Sequence, residues 1–117
     1  MQEFGSYIRD RREQLLANDR TYTLRKVAQR VGIKPTYLSK IEREELAPPS
    51  EEVIRKLATE LGLHVDVLLA MAGKVSKELR EIIIKRPELI GELLREIQNM
   101  PNHAVLRIVR EVRDGEW

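Results

Sequence analysis

The chain has 117 residues, 42% of them hydrophobic, 34% charged and 4% aromatic, with a formal net charge of +2. That length suits one domain with a short appendage, and the apolar fraction is enough for a packed core, which argues against wholesale disorder. With no cysteine, disulfides, thiolate metal sites and cysteine nucleophiles are excluded, and no apolar run approaches membrane-spanning length.

Leu, Ile, Val and Ala carry the apolar content, and together with the many charged residues they favour helices over sheets. Periodicity is helical almost throughout. A first helix is expected over about 3–17, with Phe4, Ile8, Leu15 and Tyr7 on its apolar side. The turn-rich stretch 18–22 ends it. Thr23 is a good N-cap for a short second helix over 24–31 that buries Leu24, Val27, Ala28 and Val31. Gly32 follows where a helix closes with a left-handed residue. A third helix starts within a few residues, with Pro35 in its first turn, where a missing N–H costs nothing. It carries Tyr37, Leu38 and Ile41 and stops before Pro48-Pro49. Ser50 caps a fourth helix, with Glu51 and Glu52 in the first turn, where the helix dipole favours acids. Its inward side is Val53, Ile54, Leu57, Ala58 and Leu61, and Gly62 ends it. A short fifth helix over 65–71 carries Val67, Leu68 and Leu69, and Gly73 breaks the chain.

Three further amphipathic segments follow, at about 76–85, 87–99 and 101–113, the last two beginning with proline. The organisation expected is all-α, with a five-helix domain over 1–73 and a helical extension over 74–117. The extension carries too many apolar residues for three exposed helices, so they must bury against the first domain, each other or another chain. Trp117 suits either an interface anchor or a partly ordered terminus. Membrane association fits poorly, because acids and bases are evenly mixed.

The most informative stretch is 23–43. Two short helices this close in sequence must cross steeply rather than lie antiparallel. Ala28 is small enough to permit the crossing, and Gly32 supplies the turn with no Cβ penalty. Val27, Val31, Ile33, Leu38 and Ile41 form an inner seam. Pro35, Thr36, Ser39, Lys40 and Arg43 are left on the outer side of the second helix of the pair. That small, polar, basic face suits a helix lying in the major groove of DNA. Charge adds little: ten Lys/Arg against seven Asp/Glu up to Ala47 give +3, and eleven against twelve in the remainder give −1. Arg9, Arg11, Arg20 and Arg30 read as solvated surface.

The run Leu24-Arg25-Lys26-Val27-Ala28, the turn Val31-Gly32-Ile33 and above all Tyr37-Leu38-Ser39-Lys40-Ile41-Glu42-Arg43 resemble the phage-repressor (Xre/Cro) type of helix-turn-helix protein. The resemblance extends to Ile8-Arg9 and Arg12 upstream and to Pro49-Ser50, Leu57-Ala58 and Leu61-Gly62 downstream. It implies a lambda-repressor-like DNA-binding fold over about residues 4–72. It also places Pro35, Thr36 and Lys40 at base edges, with Ser39 beside them. Thr23 and Arg25 fall where the phosphate backbone is gripped, and Arg43 falls at another phosphate position. Tyr37 suits either packing on the core rim or a phosphate hydrogen bond. Arg12 and Glu42 match an internal ion pair that ties the first helix to the third. Two departures stand out. Lys34 replaces the usual capping residue before Pro35 and offers a cation to phosphate, and Glu44 replaces the glycine common after the Glu-Arg pair. The acids Glu44 and Glu45 near the DNA side temper affinity at physiological salt.

The function these readings imply is a cytoplasmic, sequence-specific regulator of transcription that binds double-stranded DNA. A repressor is the leading form, since bound protein blocks polymerase by occupancy, with activation as the other possibility. A palindromic operator bound by a homodimer is expected, because one such module buries too little to discriminate a genome. The alternative is an antitoxin- or immunity-like protein whose residues 74–117 bind a second protein while the first domain autoregulates. A fold kept purely as a scaffold is the third reading. His64 and His103 stand alone, with no acid or second histidine at ligand spacing. No nucleophile-base grouping or glycine-rich phosphate loop is present. No metal, cofactor or catalysis is expected.

Overall fold

A computed structural model describes residues 2–117, which form eight α-helices and one 3-10 turn with no strand among them. The helices are α1 (Phe4–Leu16), α2 (Leu24–Val31), α3 (Pro35–Glu42), α4 (Glu51–Leu61), α5 (Val65–Met71), α6 (Lys77–Lys85), α7 (Pro87–Ile97) and α8 (Asn102–Asp114), with the 3-10 turn at Arg20–Tyr22 between α1 and α2. The chain divides into two compact units, the first ending at Ser76 and the second running over Lys77–Trp117. No helix among the described residues is long and apolar enough to cross a membrane.

Local chemistry explains most helix ends in the first unit. The Thr23 hydroxyl accepts the Lys26 N–H at 3.3 Å and caps α2, and the Ser50 hydroxyl accepts the Val53 N–H at 3.4 Å and caps α4. Gly32 ends α2 at φ 84°, and the Ile33 N–H returns to the Ala28 carbonyl at 3.0 Å. A Cβ at Gly32 would meet nothing, so the backbone conformation rather than space asks for glycine. The His64 imidazole caps α5 by accepting the Asp66 N–H at 3.2 Å. The stretch 18–22, expected as plain turn, contains the 3-10 turn because the Asp19 carboxylate accepts both the N–H and the hydroxyl of Thr21, at 2.9 and 2.7 Å.

The core of this unit is a single cluster built from all five helices, including Ile8, Val27, Leu38, Ile54, Leu57 and Leu68, each with no accessible surface. Burying a side chain of this size contributes about 1.5–3 kcal/mol. Leu24 and Ile33 are only half-buried, at the first position of α2 and in the turn after it, and Val67 is half exposed because α5 turns Leu68 and Leu69 inward instead.

The second unit is a different kind of object. α6, α7 and α8 are amphipathic, yet no residue from Lys77 to Trp117 is buried. Ile84 is 72% exposed, Leu89 66% and Val112 57%. Pro87 is the first residue of α7 as expected, whereas Pro101 is extended, at ψ 157°, and serves as the N-cap of α8. Between α7 and α8 lies an apolar groove lined by Leu93, Ile97, Val105, Ile108, Val109 and Val112. Trp117 is exposed.

Candidate nucleic-acid interface

The two faces of α3 are chemically opposite. Leu38, Ile41 and Glu42 are buried, Thr36 and Lys40 are exposed, and Pro35 and Ser39 are partly exposed. Tyr37 is half-buried and packs against the core cluster. Lys34 precedes the helix without a side-chain cap, and Pro35 has no N–H to satisfy. The start of α3 is therefore uncapped, and an exposed cation stands beside it.

The inner face of α3 is held by charge as well as by packing. Arg12 Nε and Nη2 donate to the two carboxylate oxygens of Glu42 at 2.8 and 2.9 Å, and Nη1 donates to the Tyr22 carbonyl at 3.2 Å. Both side chains are almost fully buried. The hydrogen bonds to Glu42 raise the Arg12 pKa above its ordinary value against the opposing effect of burial. One guanidinium thus joins α1, α3 and the 3-10 turn, in the fork geometry that suits arginine.

The C-terminal end of α3 closes in a Schellman motif. The Glu45 N–H bonds the Lys40 carbonyl at 2.8 Å, and the Glu44 N–H bonds the Ile41 carbonyl at 3.1 Å. The left-handed position of that motif is held by Glu44, at φ 63°. The Glu44 carboxylate turns back to accept the Ser6 N–H in the first turn of α1 at 2.8 Å. Of the two adjacent acids, Glu45 is the one beside Arg43: its carboxylate lies 2.9 Å from Nη2 of Arg43, while Nε of Arg43 donates to the Ser39 carbonyl at 3.3 Å.

Other sequence-derived positions fall around this helix. Thr23 caps α2 with its hydroxyl, so its side chain already has a structural role, and Arg25 is exposed on the first turn of α2. Arg11 is partly buried rather than solvated, and Arg30, exposed as expected, also has partners within the chain. Arg11 Nε donates to the Leu61 carbonyl at the end of α4, at 2.8 Å. Arg30 donates to the Thr21 carbonyl at 2.7 Å, pairs with Glu60 at 2.6 Å and lies 5.3 Å from the centre of the Tyr22 ring. Leu61 and Glu60 lie 50 and 30 positions away in sequence, so no local pattern could have revealed them. Gly5 was missed for the same reason. A Cβ there would stand 2.0 Å from the Ile41 carbonyl oxygen, which makes glycine a condition for α1 to lie this close to α3.

The family model described as helix-turn-helix matches residues 8–68, inside the first unit. Two uncharacterized HTH-type transcriptional regulators of Mycobacterium tuberculosis, from strains CDC 1551 / Oshkosh and ATCC 25618 / H37Rv, are each 33% identical to the chain over 84 residues. The match covers 68% of this chain and 56% of theirs, so the chain spans little more than half the length of these relatives. No solved structure is significantly similar to it.

Proposed function

The chain belongs to the helix-turn-helix family, of the phage-repressor (Xre/Cro) type, and from that premise we propose that it is a sequence-specific regulator of transcription that binds double-stranded DNA. The observation that carries the reading is α3 itself: a short helix with a locked inner face and an outer face that leaves Thr36 and Lys40 exposed. In this reading Pro35, Thr36, Ser39 and Lys40 meet base edges in the major groove. Thr23, Arg25, Lys34, Tyr37 and Arg43 meet phosphates and set the register. Arg43 exchanges Glu45 for a phosphate oxygen when DNA arrives, which makes binding weaker than its cation count suggests.

The working form is a homodimer on a palindromic operator, with half-sites about 34 Å apart. The exposed apolar side chains of α7 and α8, and the groove between them, are the surface a second copy would cover. Repression by occupancy is the simplest outcome of such binding. The same apolar surface favours one other reading, an antitoxin- or immunity-like protein whose residues 74–117 receive a different polypeptide.

Selection of bound duplexes from a random DNA pool, using the full chain, tests the proposal. An enriched palindrome and a dimeric mass in solution are expected. No enrichment at low salt overturns DNA binding. Enrichment by a monomer that co-purifies with a second polypeptide replaces the homodimer with the partner-binding reading.

A further inference from the structure

We propose that Glu44 is a positioning residue for α3: a side chain outside the DNA-facing surface that fixes the orientation in which Thr36, Ser39 and Lys40 are presented. The inference rests on the DNA-binding reading and deepens it.

Three observations meet at this residue. Glu44 is the one non-glycine at positive φ among the described residues, and it stands at the left-handed position of a Schellman motif, where an L side chain is strained and glycine is not. Its carboxylate Oε1 accepts the Ser6 N–H at 2.8 Å, one of the donors that the start of α1 leaves open because Glu3 supplies no side-chain cap. The backbones come close at this same place, since a Cβ on Gly5 would clash with the Ile41 carbonyl and lie 2.8 Å from Glu44 Oε1. The start of α1 is therefore pressed against the exit of α3, and the Glu44 carboxylate bolts the two together.

With Arg12 and Glu42, the bolt makes a second fixed point. Arg12 grips the last residue of α3 from farther along α1, and Glu44 grips the turn just beyond it from the helix start. Core packing of Leu38 and Ile41 and the Arg12 pair hold the inner face of α3, and the Glu44 attachment adds a constraint at its C-terminal end. The outer face of α3 inherits the constraint, because side-chain direction on a short helix follows the backbone.

The strain at φ 63° and the charge-assisted hydrogen bond are opposite in sign and comparable in size. A glycine at position 44 loses both, so Glu44→Gly leaves folding nearly unchanged while removing the bolt. That separation makes the proposal testable. The full chain, Glu44→Gly, Glu44→Asn (which tolerates the left-handed backbone but is one methylene shorter) and Glu44→Gln (which keeps an acceptor oxygen) are compared in three measurements. These are thermal unfolding, residual dipolar couplings of the α3 amides, and affinity for the selected duplex against a scrambled one.

Glu44→Gly should melt within about 3 °C of the parent, shift the α3 couplings, and lose about tenfold in preference for the selected duplex. Its affinity for scrambled DNA should rise modestly, and by the same amount in Glu44→Gln, because each removes a negative charge near the DNA side, while its salt slope should be unchanged because no phosphate contact is lost. Glu44→Gln should retain most of the preference. If Glu44→Gly unfolds, Glu44→Asn carries the same expectations. Unchanged α3 couplings in the folded variant overturn the proposal whether or not DNA binds. A preference within about twofold of the parent also overturns it. A selection that enriches no sequence removes the DNA-binding reading instead, and the couplings then decide alone.

Discussion

Replacing Arg12 with methionine removes the guanidinium while keeping a long apolar stem, and it isolates what the buried pair does. Glu42 is 3% exposed, and both of its carboxylate oxygens accept from Arg12. The substitution strands a buried carboxylate, at a cost of about 3–5 kcal/mol, and leaves the Tyr22 carbonyl short of a donor it now has. Against the 5–15 kcal/mol typical of whole domains, that is about a fifth of the total at the least. At about 4–8 °C per kcal/mol for a domain of this size, melting should fall by at least about 12 °C. The double variant Arg12→Met with Glu42→Leu exchanges the pair for apolar side chains and should recover most of the loss. Urea unfolding followed by circular dichroism, across the four proteins of the cycle, gives the coupling energy directly. A single-variant cost below about 1 kcal/mol, or a double variant no better than the sum of the singles, would refute the assignment of this pair as the tie between α1 and α3.

Three further outcomes are expected. Lys40→Ala should cost about 1–3 kcal/mol on the selected duplex and relax preference at one base position, as read by binding to single-position variants of that duplex; a uniform loss on every sequence would make Lys40 a phosphate contact. Leu93→Glu places a charge in the groove between α7 and α8 and should convert a dimer to a monomer by light scattering, with helicity retained. The Asp19 carboxyl, accepting the hydroxyl and the N–H of Thr21, should titrate below the ordinary aspartate range. Because its folded pKa is the lower one, its contribution is complete above the unfolded value of about 3.9 and is lost as pH falls through the folded value. A carboxyl 13C titration measures this, and a midpoint at or above the ordinary value would count against the cap.

The parts of this fold that were legible in the sequence are those fixed within five residues. Thr23, Gly32, Pro35 and Ser50 act on backbone groups two to five positions away, so residue type alone marks the helix ends they make. The spacing of Val27, Val31, Leu38 and Ile41 likewise reports one apolar seam. What stayed hidden is fixed by approach between distant segments. Arg11 and Leu61 are 50 positions apart, Ser6 and Glu44 are 38 apart, and Arg30 and Glu60 are 30 apart. Arg12 and Glu42 are also 30 apart and became visible only through the family resemblance.

The same distinction explains why α3 and the α7–α8 surface stand differently. Periodicity finds an apolar face but says nothing about what covers it. In the first unit the cover lies within the unit: α3 is fixed by Arg12, by the close approach at Gly5 and by the core, so its outer face is what remains after every inner group has a partner. In α7 and α8 the apolar side chains include Leu89, Val109 and Val112, more than 40% exposed, and none in these helices is buried. Water does not stabilise such a face, and α7 and α8 gain little from packing on each other when their shared groove stays open. Helices of 11 and 13 residues are marginal by themselves. An occupant of the groove would add stability that neither helix supplies alone. A second copy filling that groove would make the operator affinity of the full chain depend on protein concentration even where the first unit is fully folded.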